Sequence, residues 1–318
     1  MSTVSRELRS TNGKPNLVYC SGKGTLGSYP FNHPQYRESI TDFMRLAEKK
    51  FAVFLVRGAD KHIGNGVFTD GYRVTRGTFK RFNKKIYARV VFNKAPLKSN
   101  GGRDWSILNQ WQLIQITDNK WRTYQLLKKF MKPTFRTTDK KSFAAALKKI
   151  KGERVVYKPI HGSEGKGIVI GSKTVVAKKL RRYDGLIQEY IDTSSGVPGV
   201  CRERHDMRVL LMNGTIVQSY VRIPRPDSHL ANIAQGGRML EIPYSAIPPA
   251  AKKIVKQIDR LFRHISPRMY AVDFGFEQGR PYIFELNPRA GFPYKAWKRY
   301  YHHWHQSLLK TLWSALTH

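Results

Sequence analysis

The chain has 318 residues, 41% of them hydrophobic and 12% aromatic, which is enough to bury a sizeable core and excludes an intrinsically disordered chain. Lys and Arg number 57 against 22 Asp and Glu, a net charge of +35; such a field attracts nucleic acid, phosphorylated ligands, acidic peptides or anionic lipid, and says nothing about fold. Two cysteines, Cys20 and Cys201, exclude a disulfide framework, and no uninterrupted apolar stretch reaches the length of a membrane span.

Residues 1–14 are polar and lack the apolar core of a signal peptide, so a soluble, cytoplasmic protein is expected. Residues 1–16 read as a loose N-terminal arm, and residues 17–116 as a small α/β lobe. In that lobe Ile40, Phe43, Met44 and Leu46 recur at helical spacing within residues 35–50. Residues 51–56 and 86–92 read as strands. Ser21-Gly22-Lys23-Gly24-Thr25 reads as a turn after a first strand, and Cys20 as buried.

Thr117-Asp118 reads as the cap of a helix over residues 119–131, stopped by Pro133. Ser142 reads as the cap of a second helix, 143–151, ended by Gly152. Strands follow at 154–160, 167–171 and 186–191. Asn213-Gly214 joins strands 207–212 and 215–222 in a hairpin, and Gln278-Gly279 joins 269–276 to 281–286. Helices are expected over residues 249–265 and 295–316. The stripe Trp297, Tyr301, Trp304, Leu308 and Leu312 reads as core, and His302, His303 and His305 as a solvated helix face.

Chemistry concentrates in three places. The strand 154–160 ends in Lys158 and opens into a glycine loop, His161-Gly162-Ser163-Glu164-Gly165-Lys166-Gly167. Glycines let backbone N–H groups approach phosphate oxygens, and Lys158 supplies charge at the loop mouth. The loop is neither the P-loop nor a dinucleotide fingerprint, and an ordinary hairpin is the plain alternative. Glu285 and Asn287 share one strand face, with Asp273 on the neighbouring strand. An even loop at Gln278-Gly279 pairs Asp273 with Phe284, so a shared face needs an odd loop or a bulge. Converged, the three make a hard oxygen site suited to magnesium. Asp206 and Arg208 share a face, Arg222 lies on the partner strand, and the loop Asn232-Ile233-Ala234-Gln235-Gly236-Gly237 follows. Such arginines either neutralise transferred phosphate or form a cross-strand salt bridge.

In this order the segments resemble the ATP-grasp superfamily, and within it the RimK-like glutamate ligases and bacterial glutathione synthetases. The matching stretches are Asp118-Asn119-Lys120, Lys158-Pro159 with the glycine loop, Gln188-Glu189-Tyr190-Ile191, Asp206-Met207-Arg208, Arg222-Ile223-Pro224, Asn232 with Gly236-Gly237, Asp273 and Glu285-Leu286-Asn287. They cover residues 117–292. Tyr87-Ala88-Arg89-Val90-Val91-Phe92-Asn93-Lys94 and Asn119-Lys120-Trp121 also resemble the YheC/YheD branch.

The resemblance implies an α/β (α+β) ATP-grasp fold: the N-terminal lobe followed by two α+β subdomains that clamp ATP. The first would be a lid (117–191), the second a metal-binding part with the C-terminal helix (192–318). It implies that Lys120 and Lys158 grip the ATP phosphates and that Gly162, Ser163, Gly165, Lys166 and Gly167 form a mobile cover. Gln188, Glu189, Tyr190 and Ile191 would read adenine, and Asp206 the ribose. Asp273, Glu285 and Asn287 would hold two Mg2+ ions, with Mn2+ an alternative. Arg208, Arg222, Asn232, Gly236, Gly237 and Arg289 would face the transferred phosphoryl group and the acid.

The implied activity is ATP-dependent joining of a carboxylate to an amine through an acylphosphate, and the charge favours an acidic substrate. The implied partners are ATP, an acid and an amino acid, with a homo-oligomer as one assembly. The competing readings are a basic nucleic-acid-binding protein on this scaffold and a YheC/YheD-like coat-associated protein. The first lobe shows no substrate signature, and Pro288-Arg289-Ala290-Gly291 departs from the family's usual small-residue run.

Overall fold

A computed structural model describes residues 13–162, 165–225 and 237–317. The first lobe is built on a six-stranded sheet of order β5-β4-β2-β1-β7-β8. Its strands are β1 (Asn16–Ser21), β2 (Ala52–Arg57), β4 (Gly71–Thr75), β5 (Thr78–Phe82), β7 (Val90–Asn93) and β8 (Ser106–Leu108). β2, β1, β7 and β8 run parallel, and β4 and β5 extend one edge antiparallel. β1 and β2 are buried along their whole length, as parallel strands covered on both faces must be. The small pair β3 (Val67–Phe68) and β6 (Ile86–Tyr87) lies beside this sheet. The single strand expected over 86–92 is therefore two, β6 and β7, interrupted at Ala88-Arg89.

Helix α1 (Pro34–Ala47) starts with proline at its first position, where no N–H is required. Helices α2 (Trp111–Thr117) and α3 (Lys120–Leu127) lead out of the lobe. The cap of α3 is Asn119, not Thr117-Asp118: its side-chain oxygen accepts from the N–H groups of Trp121 and Arg122.

Next comes a four-stranded antiparallel sheet, β11-β10-β12-β9. It comprises β9 (Thr134–Thr137), β10 (Arg154–Lys158), β11 (Val169–Ser172) and β12 (Gly185–Glu189), covered by α4 (Lys140–Lys149) and α5 (Lys173–Lys179). Asp139, not Ser142, caps α4. Ser142 is the third helical residue and closes the reciprocal half of a capping box.

The third layer is a five-stranded sheet, β15-β14-β13-β16-β17. Its strands are β13 (Asp206–Met212), β14 (Thr215–Ile223), β15 (Arg238–Glu241), β16 (Met269–Glu277) and β17 (Arg280–Asn287). Both predicted hairpins form: Asn213 and Gly214, like Gln278 and Gly279, take the positive φ that a two-residue turn demands. One face of this sheet packs Met207, Val209, Tyr270, Val272 and Phe274 against α6 (Pro249–Phe262). On the other face Leu210, Met212, Met269 and Ala271 join Tyr19, Phe43 and Phe92 of the first lobe in one core.

Helix α7 (Tyr301–Ser314) closes that shared core with Trp304, Leu308 and Leu312. It is shorter than the predicted 295–316, and Trp297 lies outside it. His305 is not on a solvated face: it is buried, 3.1 Å from Ser39 Oγ, and burial lowers its pKa to about 4. His302 and His303 are exposed as expected.

Candidate functional site

The rest of the first-lobe-facing side of the five-stranded, central sheet looks across a cleft of about 580 Å³ toward the four-stranded sheet. Alternation along each strand decides which residues point in. Val156 and Lys158 come from β10, Gln188 from β12, Asp206 and Arg208 from β13, Arg222 from β14, and Glu285 and Asn287 from β17. Lys120 enters from the start of α3, and Gly162, Gly165 and Lys166 from the loop between β10 and β11. Tyr190 and Ile191 close one side and Arg289 the other.

Glu285 reaches this face through a bulge. Glu277 pairs with Arg280 and Phe274 with Ile283, but Asp273 then pairs with Glu285, so Phe284 has no partner. Gly275 makes room for it: a Cβ there would lie 2.4 Å from the Phe284 ring. The predicted conflict of parity is resolved by this bulge, and the two-residue turn stays even.

The charges form a ladder across three strands, β14, β13 and β16. Arg222 bonds Asp206 at 2.5 Å and Asp273 at 3.1 Å. Arg208 grips Asp273 with two bonds of 2.6 and 2.5 Å. Asp273 is 1% exposed. Burial alone would raise its pKa, but the two guanidinium groups hold it below the usual carboxylate range. Burial pushes Asp206 upward, with Arg222 opposing. The cross-strand salt-bridge alternative for Asp206, Arg208 and Arg222 is thus present in the structure, and all three still line the cleft.

The lysines are differently held. Lys158 Nζ donates to Gln188 Oε1 at 2.7 Å, and Gln188 Nε2 donates to Thr134 Oγ1 at 2.8 Å. Burial brings the Lys158 ammonium down to about 8. Lys120 Nζ donates to the Gly162 carbonyl at 2.7 Å and sits 3.6 Å from Glu285 Oε2, tying the loop to the central sheet. The Arg289 guanidinium bonds Asp118 Oδ2 at 2.7 Å, and its backbone N–H donates to Asn287 Oδ1 at 2.9 Å.

Not every predicted residue faces the cleft. Glu189 points to the other side of β12 and pairs with Lys132. Asp273 lies beneath Arg208 rather than on the wall. Gly167 and Gly237 are described but are not wall residues. Ser163, Asn232 and Gly236 lie outside the described residues. Tyr29 and Tyr36 of the first lobe, and Thr117, Thr193 and His205, line the cleft without having been expected there. Tyr29 and Tyr36 sit in the loop and helix after β1, where only the docking of the first lobe shows that they reach the site.

The donor set fits a magnesium ion in part. Glu285 and Asn287 offer a carboxylate and an amide oxygen to the cleft, and Asp206 Oδ1 is buried with no hydrogen-bond partner among the described residues. Asp273 fits less well, because its oxygens are taken by arginines. Among the described residues no three His, Cys, Asp or Glu side chains group as a metal cluster.

A family model described as the ATP-grasp domain matches residues 117–292, more than half of the chain. The chain belongs to the ATP-grasp family. Its match to the "Probable alpha-L-glutamate ligase" of Shewanella pealeana is 27% identical over 146 residues, 44% of this chain and 29% of that protein. The chain therefore spans under a third of the length of the curated relatives it matches. Among solved structures it is similar to D-alanyl-alanine synthetase A from Vibrio cholerae, with TM-score 0.63 and 15% identity, covering 96% of this chain and 99% of that one. It is also similar to the ATP-grasp ligase PsnB complexed with a phosphomimetic variant of its minimal precursor, Mg and ADP, with TM-score 0.57, 13% identity, and 94% and 98% coverage. These likenesses establish the ATP-grasp fold over nearly the whole chain, first lobe included. No described helix is long and apolar enough to cross a membrane.

Proposed function

We propose that this ATP-grasp protein is an ATP- and magnesium-dependent ligase that joins a carboxylate to an amine through an acylphosphate. The observation that carries the reading is the convergence of two lysines, a glycine loop, two hard oxygen ligands and three arginines on one cleft. Lys120 and Lys158 bind the phosphates, and Gly162, Gly165 and Lys166 of the glycine loop cover them. Gln188, Tyr190 and Ile191 form the wall for the base, and the free oxygen of Asp206 accepts from the ribose or joins the metal site. Glu285 and Asn287 hold magnesium, which offsets the charge of the transferred group. Arg208, Arg222 and Arg289 stabilise that charge and orient the acid. No side-chain nucleophile is required; positioning and charge neutralisation supply the acceleration.

Residues 17–116 act as the acid-side lobe, 117–191 as the lid and 192–318 as the metal-binding part. The positive field recruits an acidic substrate. The glutamate-ligase name of the curated relatives makes glutamate the first amine to try. Two free cysteines, Cys20 buried and Cys201 half-buried, suit the reducing cytoplasm. The test is magnesium-dependent conversion of ATP to ADP, screened against pools of amino acids and acidic peptides. ADP release that requires one acid and one amine supports the ligase. Tight ATP binding with no such turnover removes it in favour of a non-catalytic scaffold.

A further inference from the structure

β17 ends at Asn287, the segment after it carries Arg289 into the cleft, and the first lobe holds that segment at two points. Asn109, just after β8, donates from Nδ2 to the Pro288 carbonyl at 2.7 Å. The same side chain exchanges two bonds with Met269, donating to its carbonyl at 2.6 Å and accepting from its N–H at 2.7 Å. Lys94, just after β7, donates from Nζ to the Ala290 carbonyl at 2.6 Å. The two fastened carbonyls flank Arg289 on either side. Beneath the next residue, a Cβ on Gly291 would lie 2.9 Å from Tyr36 Oη, so the first lobe is in close contact there as well.

Lys94 is an expensive choice for holding a peptide group. No carboxylate pairs with it among the described residues, and its Nζ stands 5.8 Å from the centre of the Phe92 ring. Burial, with the Arg289 guanidinium adding to it, brings its ammonium down to about 7. A neutral amine still has N–H donors, so the bond to Ala290 survives on either side of that pH. Packing alone would be satisfied by an apolar residue and a shifted carbonyl; two donors from successive strand ends converging on one short segment indicate placement.

We propose that Lys94 and Asn109 are positioning residues through which the first lobe sets the location of Arg289 in the cleft. The proposal rests on the reading of Arg289 as the residue that orients the acid. It gives the first lobe a role in the site without requiring a substrate motif of its own.

The test compares Lys94→Met, which removes the donor at similar length, with Lys94→Arg, which restores one, in the full chain. Hydrogen exchange over residues 287–291 is read alongside Mg·ADP affinity by calorimetry. Lys94→Met is expected to speed exchange in that segment by about tenfold, the weight of one hydrogen bond, while Mg·ADP affinity stays within about twofold. Lys94→Arg should restore slow exchange. With an acid substrate in hand, Lys94→Met should raise the KM for the acid and leave that for ATP in place. Unchanged exchange over 287–291, faster exchange spread through β1, β2 and β7, or no rescue by Lys94→Arg would each overturn the proposal. If Lys94→Met does not fold, Asn109→Ala reads the same segment from the Pro288 side, with the same criteria. A wild-type chain with no acid-dependent turnover would sink the ligase reading instead, and the exchange result would still decide the placement of the segment.

Discussion

Lys158 and Gln188 form a buried pair on the adjacent strands β10 and β12, Nζ to Oε1 at 2.7 Å. The amide satisfies the lysine without neutralising it, so the positive charge remains available to a phosphate. Burial has already lowered that ammonium from its ordinary 10.5 to about 8. Nucleotide affinity should therefore weaken as pH rises above about 8, toward one decade per unit, when titrated by calorimetry. Lys158→Met should cost about 10- to 100-fold in ADP affinity, the range for a charge-assisted hydrogen bond, and flatten that pH dependence. The stability term has the opposite sign. Between pH 8 and 10.5 the folded protein binds fewer protons at this lysine than the unfolded chain, so its contribution to stability improves as pH rises through that window.

Asp273 receives three bonds from Arg208 and Arg222. Removing its charge leaves the buried Arg208 guanidinium without its carboxylate and Arg222 with Asp206 alone. Asp273→Asn should destabilise the chain by about 3–5 kcal/mol, measured by urea denaturation. A midpoint equal to that of the wild type would show that the arginines find other partners.

Glu285 is partly exposed to the cleft, and its ion pair with Lys120 is long at 3.6 Å. Glu285→Gln should leave the urea midpoint almost unmoved, because pairs of this kind contribute at most about 1 kcal/mol. On the proposed function the same variant should abolish magnesium-dependent ADP formation. Full turnover in Glu285→Gln would remove this residue from the metal site.

Gly275 lies under the Phe284 ring, and an added methyl group would also come within 2.9 Å of Thr193. Gly275→Ala should cost about 1–3 kcal/mol by overpacking. Because the displaced ring belongs to the bulge that presents Glu285, nucleotide affinity should fall with stability. Loss of stability with unchanged Mg·ATP affinity would separate the bulge from the site.

Local rules made much of the fold legible. Alternation placed Asp206 with Arg208 and Glu285 with Asn287, and Asn213-Gly214 and Gln278-Gly279 marked their turns. Caps misled where two candidates stood close together. Asn119 beat Thr117-Asp118, and Asp139 beat Ser142, because the better-placed acceptor reached the free N–H groups. The strands β3, β4, β5 and β8 are only two to five residues long, too short for a periodic pattern to mark, and pairing with neighbours defines them. The first six residues of the predicted C-terminal helix, 295–300, and its last two, 315–316, lie outside α7; Trp297 packs on Tyr220 of β14 and on Tyr294 instead.

By itself the sequence determined the order of the strands that carry charge, the glycine loop after Lys158, and the faces on which Asp206, Arg208, Glu285 and Asn287 stand. Those follow from backbone periodicity and turn chemistry, which act over a few residues. Tertiary structure decided the rest. It set the bulge at Phe284 that brings Glu285 opposite Asp273, the locking of Asp273 by two arginines, and the fastening of Arg289 by Lys94 and Asn109 from another lobe. Each of these depends on groups far apart in the chain meeting in a desolvated place. There a charge or a carbonyl must find a partner, and no local pattern records which one it finds.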